Sequence, residues 1–283
     1  MAELKLIECP RDAMQGLKEF VPTAVKAEYI NKLLKVGFDT IDFGSFVSPK
    51  AIPQMRDTAE VLGQLDESNS KLLAIVANER GAEDAAQFDR ISYLGYPFSV
   101  SEEFQKRNTN ASIEESFHRV ERIKEIADKS GKEVVLYLSM GFGNPYGEVW
   151  SPEIVASWAE KLNSRLEIKI QALSDTIGCA STESVSQLFS ALSKDLPEVE
   201  FGAHLHTIQT NAKSLIEAAY NSGCRRFDGA IKGFGGCPMA KDDLTGNMPT
   251  EIMLEWFDTN QVDSGIDQSA FNTAMEYSAR VFG

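Results

Sequence analysis

Two histidines separated by one residue, His204 and His206, are the side chains in this sequence best placed to act together. On a strand, residues i and i+2 point to the same side, so both imidazoles can face one cation. The alternative is two unrelated histidines held by ordinary hydrogen bonds. A carboxylate, Asp12, follows an apolar run near the start of the chain. Two imidazoles with one carboxylate and an amide oxygen suit a divalent ion with open positions, Mg2+ or Mn2+. Zinc more often takes thiolate or a third histidine. Arg11, beside Asp12, would either stabilise charge developing on an enolate or carboxylate oxygen or form an inter-loop ion pair. Cys237 sits in the glycine-rich stretch Gly233-Phe-Gly-Gly-Cys-Pro, where a thiol can exchange a proton with a substrate or simply fill a turn. Asp42 and Asp175 fall at strand ends, where an ionisable group is costly unless paired or ligating. Capping and loop hydrogen bonds are the other reading of both.

The elements that must hold these groups alternate along the chain. Eight apolar, strand-length runs stand out: Leu4–Cys9, Thr40–Gly44, Leu72–Ala77, Ile91–Gly95, Val134–Ser139, Ile168–Leu173, Glu200–His204 and Arg226–Ile231. Their apolar residues are mostly consecutive, which suits parallel strands buried on both faces. Between them lie amphipathic helices. Thr23–Val36 is followed by Gly37. Ser112 and Glu115 form a capping box ahead of Ile113, and Ser151-Pro152 is an N-cap with proline at the first helical position. Further helices open at Ser181 and Asn211, and Thr250 to Gly283 reads as two more. Eight strand–helix alternations predict a (β/α)8 TIM barrel, with a doubly wound open sheet as the competitor. We expect one domain spanning 1–283, with 250–283 as a C-terminal helical extension.

In a barrel of this kind, chemistry collects where strands end. Arg11 and Asp12 follow the first run, Asp42 and Ser45 end the second, Asn78 ends the third, Asp175 follows the sixth, and Asn247 lies beyond the glycine-rich stretch. Lys50, Lys106, Arg107, Lys232 and Lys241 could form a basic rim for a phosphorylated ligand, although dispersed surface lysines are the default.

Composition narrows the rest. Hydrophobic residues make up 43% and charged residues 25%, as in ordinary globular proteins. The net charge of −14 opposes nucleic acid and anionic membranes as partners. The longest nearly apolar stretch, around Val134–Gly143, is about half of what a membrane span needs. The 4 cysteines form no CxxC pair and are too few for a disulfide scaffold. With no secretory signal visible at the N-terminus, the expected compartment is the cytoplasm.

Several segments together resemble the 3-hydroxy-3-methylglutaryl-CoA lyase branch of the metal-dependent DRE-TIM metallolyases. They are Pro10-Arg-Asp-Ala-Met-Gln15, SFVSPKAIPQM from Ser45 to Met55 and NASIEESFHR from Asn110 to Arg119. To these add SDTIG from Ser174, HLH from His204, and GFGGCPMAKDDLTGN from Gly233 to Asn247. The resemblance implies Asp12, His204, His206 and Asn247 as metal ligands, Cys237 and Arg11 as catalytic residues, and Asp175 as an acid/base. With them go Asp42 in the catalytic group and Gln15, Ser45, Lys50 and Asn78 as substrate contacts. It further implies a small-molecule acyl-CoA substrate and a possible homodimer. The sequence departs from the branch at Asp42, where glutamate is usual, at Ala13, where glycine is usual, and at Thr207-Ile208, where Asp-Thr is usual. The stretch from Gly141 to Gly147 lacks an expected cysteine. Met14 matches the apolar residue of the lyase branch, whereas the condensing relatives carry glutamate there.

The implied reaction is a retro-Claisen cleavage of 3-hydroxy-3-methylglutaryl-CoA. Asp175 or His204 would take the hydroxyl proton, Arg11 would stabilise the enolate, and Cys237 would protonate it. A related aldolase or condensing reaction, and a barrel that has lost catalysis and serves in binding, are the alternatives.

Overall fold

Strands that are apolar on consecutive positions cannot face water on either side, and the chain buries them by closing them into a ring. The computed structural model describes residues 3–236 and 245–283. The first half builds β1 (Lys5–Glu8), α1 (Pro10–Gln15), α2 (Thr23–Leu33), β2 (Thr40–Ser45), α3 (Thr58–Leu62), β3 (Lys71–Ile75), α4 (Glu79–Ala86), β4 (Ile91–Ser99), α5 (Glu102–Thr109) and α6 (Ile113–Lys129). The second half adds β5 (Glu133–Ser139), α7 (Pro152–Leu166), β6 (Ile170–Asp175), α8 (Thr182–Asp195), β7 (Glu200–Thr207), α9 (Ala212–Asn221), β8 (Arg226–Gly229), β9 (Gly246–Asn247), α10 (Thr250–Thr259) and α11 (Gln268–Phe282). Each strand from β1 to β8 runs parallel to the next, and β8 returns to β1, so the sheet is a closed (β/α)8 barrel.

Side-chain alternation divides the core in two. Leu73, Ile75, Tyr93, Val135, Tyr137 and Ile170 fill the barrel axis. Their neighbours in sequence, such as Leu72, Ala74, Leu94 and Leu136, face outward into the shell between strands and helices. The helices start where their caps say they should. Ser112 accepts from the Glu115 amide while Glu115 reaches back to the Ser112 amide, and Ser151 accepts from Ile154 ahead of Pro152.

All eight strands lie where the apolar runs place them, and the ends differ for identifiable reasons. The seventh runs to Thr207 instead of stopping at His204. There β9 supplies an antiparallel partner, with His206 opposite Asn247 and Thr207 opposite Gly246. The fourth continues to Ser99 because β5 pairs with it as far as Ser139. The eighth stops at Gly229, and Ile231–Gly233 is a 3-10 turn. The two tail helices have different roles. α10 follows β8 and packs beside α9, through Trp256 and Phe257 against Tyr220, which makes it the barrel's own eighth helix. Only α11 lies beyond the repeat, packing on α2 through the edge-to-face pair of Phe282 and Tyr29.

Candidate active site

The mouth of the barrel gathers its polar residues because β1, β7 and β9 deliver them to one place. Asp12 stands on α1, the short helix that begins two residues after β1. His204 and His206 share the inner face of β7. Asp12, His204 and His206 each offer a ligand atom, and these atoms all lie within 4.8 Å of one another. Asn247 joins them through β9, its Nδ2 donating to Asp12 Oδ2 at 2.7 Å and to the Phe234 carbonyl at 2.8 Å. The glycine-rich segment reaches this group because of its glycines. Gly235 has φ +89°, and a Cβ there would lie 2.8 Å from the Asp12 carbonyl oxygen, from Ala13 Cα and from Asn247 Nδ2.

The donor set fits a divalent cation. His206 Nδ1 bonds the Thr176 carbonyl at 3.0 Å, which puts the proton on Nδ1 and leaves the lone pair on Nε2. That Nε2 is buried and has no hydrogen-bond partner among the described residues. Burial and the neighbouring His204 hold His206 down at about 4, so the ring is neutral and able to ligate. Burial would raise Asp12, yet Arg11 and the two histidines outweigh it and keep the carboxylate below its ordinary range. His204 is itself raised: burial opposes its charged form, but the bond to Asp228 and the charges of Asp228 and Asp12 prevail.

Arg11 is the hub of the second group. Its Nε lies 3.1 Å from both oxygens of Asp42, and its Nη2 lies 2.5 Å from Asp42 Oδ2. Its Nη1 bonds Asp12 Oδ1 at 2.9 Å and Gln15 Oε1 at 3.0 Å, and Gln15 Nε2 returns to Asp12 Oδ1 at 2.6 Å. A guanidinium has five N–H groups, so these bonds leave one Nη2 hydrogen unassigned among the described residues. Asp42 is fully buried behind the guanidinium, and burial pushes it up to about 6 against the pull of Arg11.

A cavity of about 410 Å³ opens over this group. Arg11, Asp12, Gln15, Tyr137, His204 and His206 form its polar floor, and Val47, Ile52, Ile75, Pro97 and Phe104 form an apolar wall. Of the proposed basic rim, Arg107 lines this cavity; it is paired with Glu103 at 2.7 Å and lies over the Tyr146 ring. Lys50 is exposed and Lys106 pairs with Glu102.

Three other expected site residues turn elsewhere. The Ser45 hydroxyl accepts from the Val47 amide. Asn78 is the N-cap of α4, accepting from Gly81. Asp175 follows Ile170, Ala172 and Ser174 on β6, and this alternation turns it away from the axis. Its carboxylate accepts from the amides of Cys179 at 3.0 Å and Ala180 at 2.8 Å, fixing the loop after the strand. Burial raises Asp175, opposed by those amides. Cys237 and Lys241 lie outside the described residues. Sequence reasoning missed Tyr137, Ser139, Ser174 and the Thr176 carbonyl, and it missed Asp228, whose Oδ2 lies 3.1 Å from His204 Nδ1. Period-two alternation from the recognised residues of β5, β6 and β8 was the available signal.

Known proteins resemble this chain over most of its length. The HMGL-like family model matches residues 4–277. The cytoplasmic 3-hydroxy-3-methylglutaryl-CoA lyase of Rattus norvegicus is 33% identical over 268 residues, covering 93% of this chain and 77% of that protein. Hydroxymethylglutaryl-CoA lyase of Pseudomonas mevalonii is 33% identical over 272 residues, covering 95% and 89%. Among solved structures, an HMG-CoA lyase from Acinetobacter baumannii in complex with coenzyme A and 3-methylmalate superposes with a TM-score of 0.91 at 30% identity, covering 99% of this chain and 92% of that one. No helix among the described residues is long and apolar enough to cross a membrane.

Proposed function

The chain belongs to the HMGL-like family, and from that membership and the site we propose that it is a divalent-metal-dependent carbon–carbon lyase cleaving 3-hydroxy-3-methylglutaryl-CoA to acetoacetate and acetyl-CoA. The observation that carries the reading is the convergence of Asp12, His204 and His206, with an Nε2 on His206 that has no partner among the described residues. The all-oxygen-and-imidazole donor set favours Mg2+ or Mn2+. Cytoplasmic location rests on the sparse cysteines without a CxxC pair and on the cytoplasmic relative, and a homodimer rests on the sequence resemblance. We take 1–283 as one domain, supported by the packing of α11 back onto α2.

Asp12, His204, His206 and the Asn247 amide oxygen would hold a divalent cation, which when bound would supply Lewis acidity to the substrate hydroxyl. Arg11 then does two things. Its bonds to Asp12 and Gln15 fix the ligand carboxylate, and its remaining N–H is available to the oxygen on which enolate charge develops when the carbon–carbon bond breaks. Asp42 holds the guanidinium in that pose from behind. The hydroxyl proton passes to the base that the resemblance implies, Asp175 or His204, and Cys237 gives its thiol proton to the enolate carbon, completing acetyl-CoA. Asp175 anchors the Cys179–Ala180 loop.

The decisive experiment is a lyase assay with 3-hydroxy-3-methylglutaryl-CoA, with and without chelator. Turnover that disappears on chelation and returns with Mg2+ or Mn2+ is expected. Metal-loaded protein with no turnover on this thioester would overturn the reading.

A further inference from the structure

His204 and His206 reach the mouth of the barrel with the same ring orientation problem and two different answers. His206 Nδ1 meets a backbone carbonyl, that of Thr176. His204 Nδ1 meets a side chain, Asp228 Oδ2, at 3.1 Å. Asp228 and Arg226 stand two residues apart on β8 and face the barrel axis, while Phe227 between them packs in the outer shell. Asp228 is 3% exposed and Arg226 1%. The Arg226 guanidinium bonds Glu200 at 3.2 Å, and its Nε and Nη2, like Asp228 Oδ1, have no hydrogen-bond partner among the described residues.

We propose that Asp228 is a positioning residue for the metal centre: it holds the His204 ring as the Nδ1–H tautomer, keeping Nε2 bare toward Asp12 and His206. This rests on the metal reading given above. An ionised carboxylate only accepts, so the proton of the bond must sit on Nδ1, and the lone pair is then confined to Nε2. The Thr176 carbonyl imposes the same choice on His206. Both imidazoles of the pair are therefore preset as ligands, one by the main chain and one by a residue that can be substituted.

The arrangement also excludes a competing seat for a cation. Cys9, His204 and Asp228 offer ligand atoms within 4.8 Å of one another, a second group that shares His204 with the first. A cation bound there would need the Nδ1 lone pair, and so the opposite tautomer. While Asp228 accepts the Nδ1 proton, that inner group is closed and the ring serves the outer one.

The test uses the full-length protein stripped of metal, then titrated with Mn2+ alone. In the metal-free wild type, at a pH alkaline enough for the raised His204 to be neutral, ring 15N shifts should show it protonated at Nδ1 and bare at Nε2. D228N offers an amide in place of a pure acceptor, so the shifts should move toward the other tautomer. Its Kd for Mn2+ should rise on the order of 10–100-fold, the size of effect typical of outer-shell partners of metal-bound histidine. D228E should recover part of that loss, and C9A should leave the Kd unchanged. An Nε2-protonated His204 in the wild type overturns the proposal by itself, even if D228N fails to fold. So does a D228N Kd within twofold of wild type, or a C9A variant that weakens Mn2+ as much as D228N does. A wild type that binds no Mn2+ but shows the Nδ1–H tautomer would remove the lyase reading and leave the tautomer assignment standing.

Discussion

Asn247 faces His206 across a two-residue antiparallel ladder, and its side-chain amide bonds Asp12. Residues from opposite ends of the chain are thereby held together by protein contacts alone. The cost of assembling the ligand group falls largely on folding and little on cation binding.

Replacing His206 by Ala should therefore leave the fold intact and abolish retention of the metal. The His206 ring is neutral because burial holds it at about 4, whereas His204 is raised above its ordinary value, so metal loss on acidification should be set by His204 and not by His206. Elemental analysis after desalting reads both. A full metal complement in H206A would reject this residue as a ligand.

The strands were legible because a parallel barrel strand is buried on both sides, and burial writes itself as uninterrupted Ile, Val, Leu and Phe. The HxH pair was legible because its spacing matches the strand period. What escaped were features set by neighbours in space. The tail's first helix looks like an extension in sequence and becomes the eighth barrel helix only through its place beside α9. Asn78 and Ser45 are polar at strand ends, as site residues are, yet their side chains answer local amides. Asp175 follows Ser174, which continues the inward face of β6, and its bonds to the Cys179 and Ala180 amides appear only once the loop after the strand is built. Asp228 was hidden because its partner, His204, lies on the adjacent strand.

Arg11 and Asp42 form a buried ion pair, and D42N would remove the charge while keeping the shape. The guanidinium would then keep only Asp12 as a counter-charge, and breaking a buried pair from one side costs up to about 3–5 kcal/mol. Urea unfolding of D42N should show a loss of that order, together with a fall in turnover as Arg11 loses its backing. A variant as stable as wild type would mean that Asp42 is not the counter-ion of Arg11 at neutral pH.

Glu8 gives the stability a pH dependence of unusual sign for a carboxylate. Its Oε1 accepts from the Ile231 amide at 2.8 Å and its Oε2 from the Thr250 hydroxyl at 2.6 Å, so one side chain clamps both ends of the segment carrying the glycines and Asn247. Burial raises it from 4.5 to about 8. Between those values the folded state keeps a proton that the unfolded state has lost, so its contribution to stability falls as pH rises through that window. E8Q mimics the neutral acid and does not titrate. Its thermal midpoint should match wild type near pH 5 and exceed it progressively toward pH 8. Parallel pH profiles for the two proteins would show that Glu8 is not protonated in the fold.

Cys237 is tested by removing the thiol alone. C237A should lower turnover by about 10²–10⁴-fold, the range general acid–base catalysis supplies, with metal content unchanged. Wild-type turnover in C237A would dismiss it as the proton donor.

Gly235 separates site assembly from fold stability. A Cβ there would meet Asp12 and Ala13 backbone and the Asn247 amide at 2.8 Å, on a residue whose φ of +89° already disfavours any side chain. Two of those three contacts are backbone and cannot rotate away, so G235A should push the glycine-rich segment off α1 and separate Asn247 from Asp12. The barrel strands and their two cores make no use of this contact. The variant should therefore unfold within a few degrees of wild type while its Mn2+ affinity and turnover fall together. If turnover fell and Mn2+ affinity did not, Asn247 would be holding the loop and not the cation.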